Sequence, residues 1–185
     1  MIEVETVLRG ADELIGSGGR TLLVKILRGS REKKVLELKL DASPVYGCFR
    51  DLSEAEVLGK IDWLISHDFL RYEYDGRLPL LVYTEKGWSI ERFTRAKELF
   101  LVLRRAAEAG HGEFDAGFLK DMNREVIFLL LDMVKGSGDA RFIPLLESWE
   151  RVDYKKVRKR IRGVVSALRG HTAIRNTEAE HDSEG

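Results

Sequence analysis

Arg28, Gly29, Ser30, Arg31, Lys33 and Lys34 place four cations, a hydroxyl and a flexible backbone position within seven residues. Guanidinium and ammonium groups hold phosphate by charge-assisted hydrogen bonds, a serine hydroxyl adds a neutral donor, and glycine lets the backbone approach closely. The chemistry this set supports is holding a phosphate chain, not making or breaking bonds. The plain alternative is a solvated surface, where most lysines and arginines sit. A second basic stretch, residues 151–169, carries eight cations against one acid, Asp153. Within it Lys155, Lys156, Arg158, Lys159, Arg160 and Arg162 surround an apolar stripe, as a helix lying along phosphates or a solvated outer face would have them, and Lys155, Arg158 and Arg162 are taken as its candidate contacts. A third set, Tyr74, Arg77 and Lys86 with Tyr72 and Tyr83, falls on or beside an expected hairpin. Its tyrosines suit either stacking on an unpaired base or cross-strand packing.

Catalysis finds little support. His67, His111, His171 and His181 are scattered and share no metal-ligand spacing with one another or with Cys48, the single cysteine. Gly16 to Arg20 is glycine-rich but lacks the lysine and strand context of a nucleotide-binding loop, and no acid–base pair stands out. A non-enzymatic chain without cofactor or metal is expected. Its 185 residues, 44% hydrophobic, suffice for a full core in one domain or two small ones. One cysteine fits a reducing compartment, and neither a secretory signal nor a membrane span is recognisable, so a cytoplasmic protein without membrane contact is expected. The net charge of zero hides segregation, since residues 20–34 carry six cations and one acid, Glu32.

The elements that must position these residues follow from periodicity. Val4, Val7, Leu8, Ala11, Leu14 and Ile15 have helical spacing, and glycines at 16, 18 and 19 end the run. Residues 21–27 resume an apolar pattern, and residues 35–40 form a short third piece before Pro44. Ser53 and Glu56 have capping-box spacing ahead of an apolar face over residues 54–67. Residues 69–74 and 80–84 read as strands of a hairpin with a five-residue loop containing Asp75, Gly76 and Pro79. Helices followed by a short hairpin form the winged-helix arrangement. The helix over 54–67 would expose Glu54, Glu56, Asp62, Lys60 and His67, a poor face for a phosphate-lined groove.

The succession GRTLLVKILRGSREKK (19–34), VYG (45–47), DLSEAEVLGKIDWLISHDFLR (51–71) and LPLLVYTEKGW (78–88) resembles the RQC domain, the winged helix C-terminal to the motor of RecQ-type DNA helicases. The resemblance covers roughly residues 4–88. It implies binding of duplex or junction DNA, with backbone contacts from Arg28, Ser30, Arg31, Lys33 and Lys34. It also implies that the helix before the wing is not the main groove reader, and it allows the wing a role where strands separate. The expected wing is short and has no aromatic in its loop. The cysteine-rich zinc element that often precedes this domain is not matched here, because Cys48 stands alone.

The C-terminal half reads as helical. An apolar stripe from Ile90 to Ala107 gives a connecting helix, and residues 125–134 are nearly all apolar yet too short for a bilayer. GDARFIPLLESW followed by DYKKVRKRIRGVVSAL resembles a HEAT repeat, with its Gly-Asp turn, Pro144, Asp153 and the Val157-Arg158 pair. Residues 171–185 are polar and acidic and are expected to be a disordered tail.

The expectation is therefore a mainly α protein with a small β-hairpin, a winged helix followed by a HEAT-like helical bundle. Its divisions are a winged helix over 1–88, a connecting helix over 89–110, a helical domain over 111–170 and the tail. The function expected is binding of duplex or branched DNA in repair, recombination or replication, with a helicase or other repair protein as a further partner. The alternatives are an adaptor that docks on a DNA-processing complex and a winged-helix transcription regulator.

Overall fold

The computed structural model of the chain describes residues 2–110 and 114–181. It is mainly helical with one antiparallel hairpin among the described residues, and it divides into two compact units, residues 1–94 and 95–185.

In the first unit α1 (Ile2–Asp12), α2 (Arg20–Arg28), α3 (Lys33–Glu37) and α4 (Glu54–Ser66) precede β1 (Leu70–Asp75) and β2 (Leu78–Tyr83). A 3-10 turn, Leu40–Ala42, follows α3. Val7, Leu8, Leu23, Ile26, Leu27, Val57, Ile61, Leu70 and Leu81 form one buried core, so three helices and the hairpin's inner face share an apolar interior. This is the winged-helix arrangement. The expected capping box opens α4: Ser53 Oγ accepts from the Glu56 amide at 3.3 Å, and Glu56 Oε2 accepts from the Ser53 amide at 2.8 Å.

The hairpin differs from the expectation. Its loop has two residues, not five, because Asp75 pairs with Leu78 and Gly76 turns the chain at φ 60°, with no positive φ at Arg77. Glycine at the first of two central positions is the type II′ pattern, whose twist suits the flanking strands. Pro79, expected in the loop, pairs with Tyr74 inside β2. Its neighbour two residues on explains why this is tolerated. The Leu81 amide points away from β1 and donates to the Gly18 carbonyl at 2.9 Å, and the Pro79 nitrogen faces the same way, so no ladder bond is lost. The Gly16 amide returns a bond to the Leu81 carbonyl at 3.0 Å, and the glycine-rich loop thus covers the outer edge of β2.

The junction after the wing is held by TEKG. Thr84 Oγ1 donates to the Asp68 carbonyl at 2.5 Å and accepts from the Gly87 amide at 3.1 Å, capping α5 (Glu85–Glu108). A Cβ at Gly87 would overlap the Phe69 carbonyl, so only glycine lets α5 approach β1 this closely. The cap also explains why the helix begins at Glu85 and not at 89. The division between the two units falls within α5, between Thr94 and Arg95.

The second unit continues with α6 (Arg124–Ser137), α7 (Ile143–Val152) and α8 (Lys155–His181). Val126, Leu130, Leu131, Leu145, Leu146, Trp149, Ile161, Val164 and Leu168 are buried between them. Pro144 sits in the first turn of α7, where its missing N–H costs nothing. Asp153 accepts from Trp149 Nε1 at 2.7 Å and from the Tyr154 amide at 2.6 Å, tying the α7–α8 turn to the core. Helix α8 runs to His181, whereas a disordered tail is expected from residue 171. Extending an existing helix needs no new nucleus, so a polar sequence can follow it. Residues 182–185 lie outside the described residues.

Candidate nucleic-acid interface

The basic segment 28–34 hangs on the C-terminal end of α2. Gly29 is left-handed at φ 72°; its amide donates to the Ile26 carbonyl at 3.0 Å, and the Ser30 amide donates to Lys25 at 2.9 Å, a Schellman closure. Residues 45–49 complete the capping from outside: the Gly47 amide reaches Ile26 and the Phe49 amide reaches the Leu27 carbonyl. A Cβ on Gly29 would lie 3.0 Å from the Gly47 Cα, so VYG and RGS meet as two glycines with no side chain between them. Tyr46 Oη donates to the Ser30 carbonyl at 2.9 Å. These bonds consume the carbonyls that would otherwise repel a phosphate at this helix end.

The cations project from that clamp. Arg28 is exposed and donates through Nε to the Leu52 carbonyl at 3.0 Å, which fixes the stem and leaves the rest of the guanidinium outward. Arg31 and Lys34 are exposed and have no partner among the described residues. Lys33 makes a loose 3.5 Å ion pair with Glu37, both largely exposed. Ser30 Oγ accepts from the Glu32 amide at 3.3 Å, which places Ser30 as a turn former with its hydroxyl still able to donate. Lys25 is neutralised by Glu32 at 2.6 Å.

One residue of this face, Arg50, does not stand out in the sequence. Arg50 bonds the Gly47 carbonyl through Nε at 3.1 Å, and its Nη2 lies beside the two-glycine contact, adding a cation next to the clamp. Its position three residues after VYG was the available signal. Lys25, with Thr21 and Lys34, faces Leu78, Pro79 and Leu80 of β2 across a groove of about 240 Å³, which puts the basic segment beside the wing.

On the wing Tyr74 is 70% exposed and Arg77 stands in the turn. Because the loop is shorter than expected, Tyr74 lies one pair from the turn and places an exposed aromatic near the tip. Tyr83 belongs to packing: its hydroxyl donates to the Leu8 carbonyl at 2.7 Å, and burial above all, with the nearby Glu91, pushes its pKa far up. Lys86 also has an internal place, with Nζ 3.9 Å from the Phe69 ring centre and bonded to the His67 carbonyl at 3.0 Å.

Helix α4 holds its polar residues in bonds to its own unit. Asp62 binds Arg20 at 2.6 Å, a hydrogen bond that raises the arginine's pKa, and Lys60 binds Glu3 at 2.9 Å. Trp63 stacks on His67 with centroids 3.9 Å apart. Such a face offers a base pair few free donors.

In the second unit the three candidate residues on α8 have different environments. Lys155 is exposed, Arg162 is paired with Glu150 at 2.6 Å, and Arg158 is half-buried with its Nε enclosed and without a hydrogen-bond partner. No group of three or more histidine, cysteine or carboxylate side chains that could hold a metal ion occurs among the described residues. No helix among them is long and apolar enough to cross a membrane.

With this geometry in place, comparison with known proteins is informative. The chain matches the RQC domain family over residues 2–108, more than half its length, and belongs to that family. It is similar to an ATP-dependent DNA helicase RecQ of Bacillus subtilis (strain 168), 38% identical over 72 residues, which are 39% of this chain and 12% of the relative. The chain therefore aligns with only a small part of that helicase. No solved structure matches it.

Proposed function

We propose that this chain binds DNA through its RQC winged helix, reading backbone and structure rather than base sequence. The observation that carries this reading is the clamp of Gly29 on Gly47, which presents Arg28, Arg31, Lys33 and Lys34 on a fixed turn beside the wing. A rigid cationic turn loses little entropy on meeting phosphates, and a helix α4 occupied with its own ion pairs leaves base reading little support. Duplex, forked or four-way DNA are the proposed ligands, and repair, recombination or replication in the cytoplasm the setting. The role is non-enzymatic: the sequence has no P-loop, and the HEAT-like second unit is read as a further binding body.

The experiment is fluorescence-anisotropy titration of the full chain with single-stranded, duplex, forked and four-way DNA at two salt concentrations. Salt-sensitive binding with preference for fork or junction is expected. Arg28→Glu with Lys34→Glu should weaken duplex binding at least about tenfold and lower the log–log salt slope by about 2, the loss of two phosphate contacts. Unchanged affinity would overturn the reading. Absence of binding to any of these at low salt would favour the adaptor, for which the exposed Trp63–His67 stack is the natural docking point.

A further inference from the structure

Helix α8 is a basic helix with two unlike flanks. On the side of α7 its arginines are answered by carboxylates, Arg162 by Glu150 and Arg169 by Glu147, each at 2.6 Å. On the side of α6 the balance is different. Lys156 and Lys159 from α8 and Lys135 from α6 have no partner among the described residues, and Arg160 alone is paired, with Asp132. These four cations surround a groove of about 480 Å³ between α6 and α8, with the half-buried Phe128 in its wall and Gly163 and Val164 along its floor. Four cations against one carboxylate leave a local charge of about +3, held close together although the chain as a whole is neutral.

We infer that this α6–α8 groove is a second nucleic-acid site, which takes one single strand with its phosphates on Lys135, Lys156 and Lys159 and a base against Phe128. It goes beyond the winged-helix reading and does not depend on it, since the groove lies outside residues 2–108 of the family match. Charge complementarity selects a polyanion, and the aromatic wall selects one with flat apolar faces. The size selects a single strand: about 480 Å³ is room for a base and part of its backbone, not for a duplex. In the sequence Lys156, Lys159 and Arg160 belong to one basic run with Lys155, Arg158 and Arg162, and the packing of α6 decides which of them line the groove.

Gly163 supplies a direct test. A Cβ there meets nothing within 4 Å, so a larger side chain enters the groove without disturbing the fold, and in a helix it is better tolerated than glycine. The probe is a fluorescein-labelled oligo-dT strand of about 12 nucleotides, titrated into the full chain carrying Arg28→Glu and Lys34→Glu so that the winged-helix contact is weakened. Salt-dependent binding is expected to persist in this background. It should fall about tenfold or more with Lys156→Glu plus Lys159→Glu, and similarly with Gly163→Leu at an unchanged thermal midpoint. Phe128→Ala should weaken it by a smaller factor with little change in salt slope. Oligo-dT affinity within about twofold of the background in both the charge-reversed and the Gly163→Leu proteins would overturn the inference. So would equal binding of polyglutamate together with indifference to Phe128→Ala, which would make the groove a seat for an acidic polypeptide. Failure of duplex binding in the parent chain bears on the winged helix, whereas failure in this background bears on the groove.

Discussion

Gly87 shows how one residue can fix the attitude of a wing. Its missing side chain is the space occupied by the Phe69 carbonyl, and its amide completes the Thr84 cap, so strand, turn and helix meet at one point. Gly87→Ala must push α5 away from β1, and a loss of about 3 kcal/mol in urea unfolding is expected, in the upper range for overpacking. Tyr83 carries the pH dependence. Its hydroxyl is held neutral by burial, so its pKa in the folded chain lies above the ordinary tyrosine value near 10. The stability it contributes is complete below that ordinary value and declines as pH rises above it, because the unfolded chain releases the proton first. Tyr83→Phe should lose about 1 kcal/mol at pH 7 with the Leu8 hydrogen bond, and its stability should fall less steeply than the parent's above about pH 10. Chemical denaturation at a series of pH values checks both parts.

Between elements, the buried arginine of α1 meets the first part of α5 through an ion pair. Arg9 is 2% exposed, with Nη1 3.3 Å from Glu13, and its Nε lies 3.9 Å from Glu91, which is fully buried. Removing one member of such a group leaves the other's charge in the core, so Arg9→Met is expected to cost about 3–5 kcal/mol, readable as a drop in the urea midpoint. The same reasoning separates binding from scaffolding among the lysines. Lys86, over the Phe69 ring, belongs to the junction of α4, β1 and α5, whereas Lys34 on α3 has only solvent and the groove beside the wing. Charge reversal at Arg28 and Lys34 therefore acts on DNA affinity through exposed positions, where surface substitutions seldom move stability by more than about 0.5 kcal/mol. A thermal midpoint measured beside the anisotropy titration separates the two effects.

Across the whole molecule, zero net charge is a sum over locally unlike surfaces: a cationic turn at 28–34, an acid-answered flank of α8, and an unanswered one facing α6. The sequence by itself determined the features whose cause lies within a few residues. The Ser53–Glu56 capping box, the apolar faces of α1, α2, α4, α6 and α8, and the presence of a hairpin were legible because periodicity and capping are local. So was the basic segment 28–34, as a run of residue types. The hairpin loop is shorter than the sequence suggests because Pro79 has the look of a loop residue, and only the register of β2 on β1 shows that its nitrogen faces away from the ladder, on the edge that Gly18 covers. Meeting points were likewise decided only by tertiary structure: Gly29 against Gly47, Gly87 against Phe69, and Lys86 over an aromatic ring. Which cations of α8 remain unneutralised was decided the same way, because carboxylates arrive from α7 and largely not from α6. Helical spacing gives the faces of α8, but the charge left on each face depends on neighbours brought in from elsewhere in the chain. Electrostatic balance is set by distance in space, and sequence separation carries little of that information.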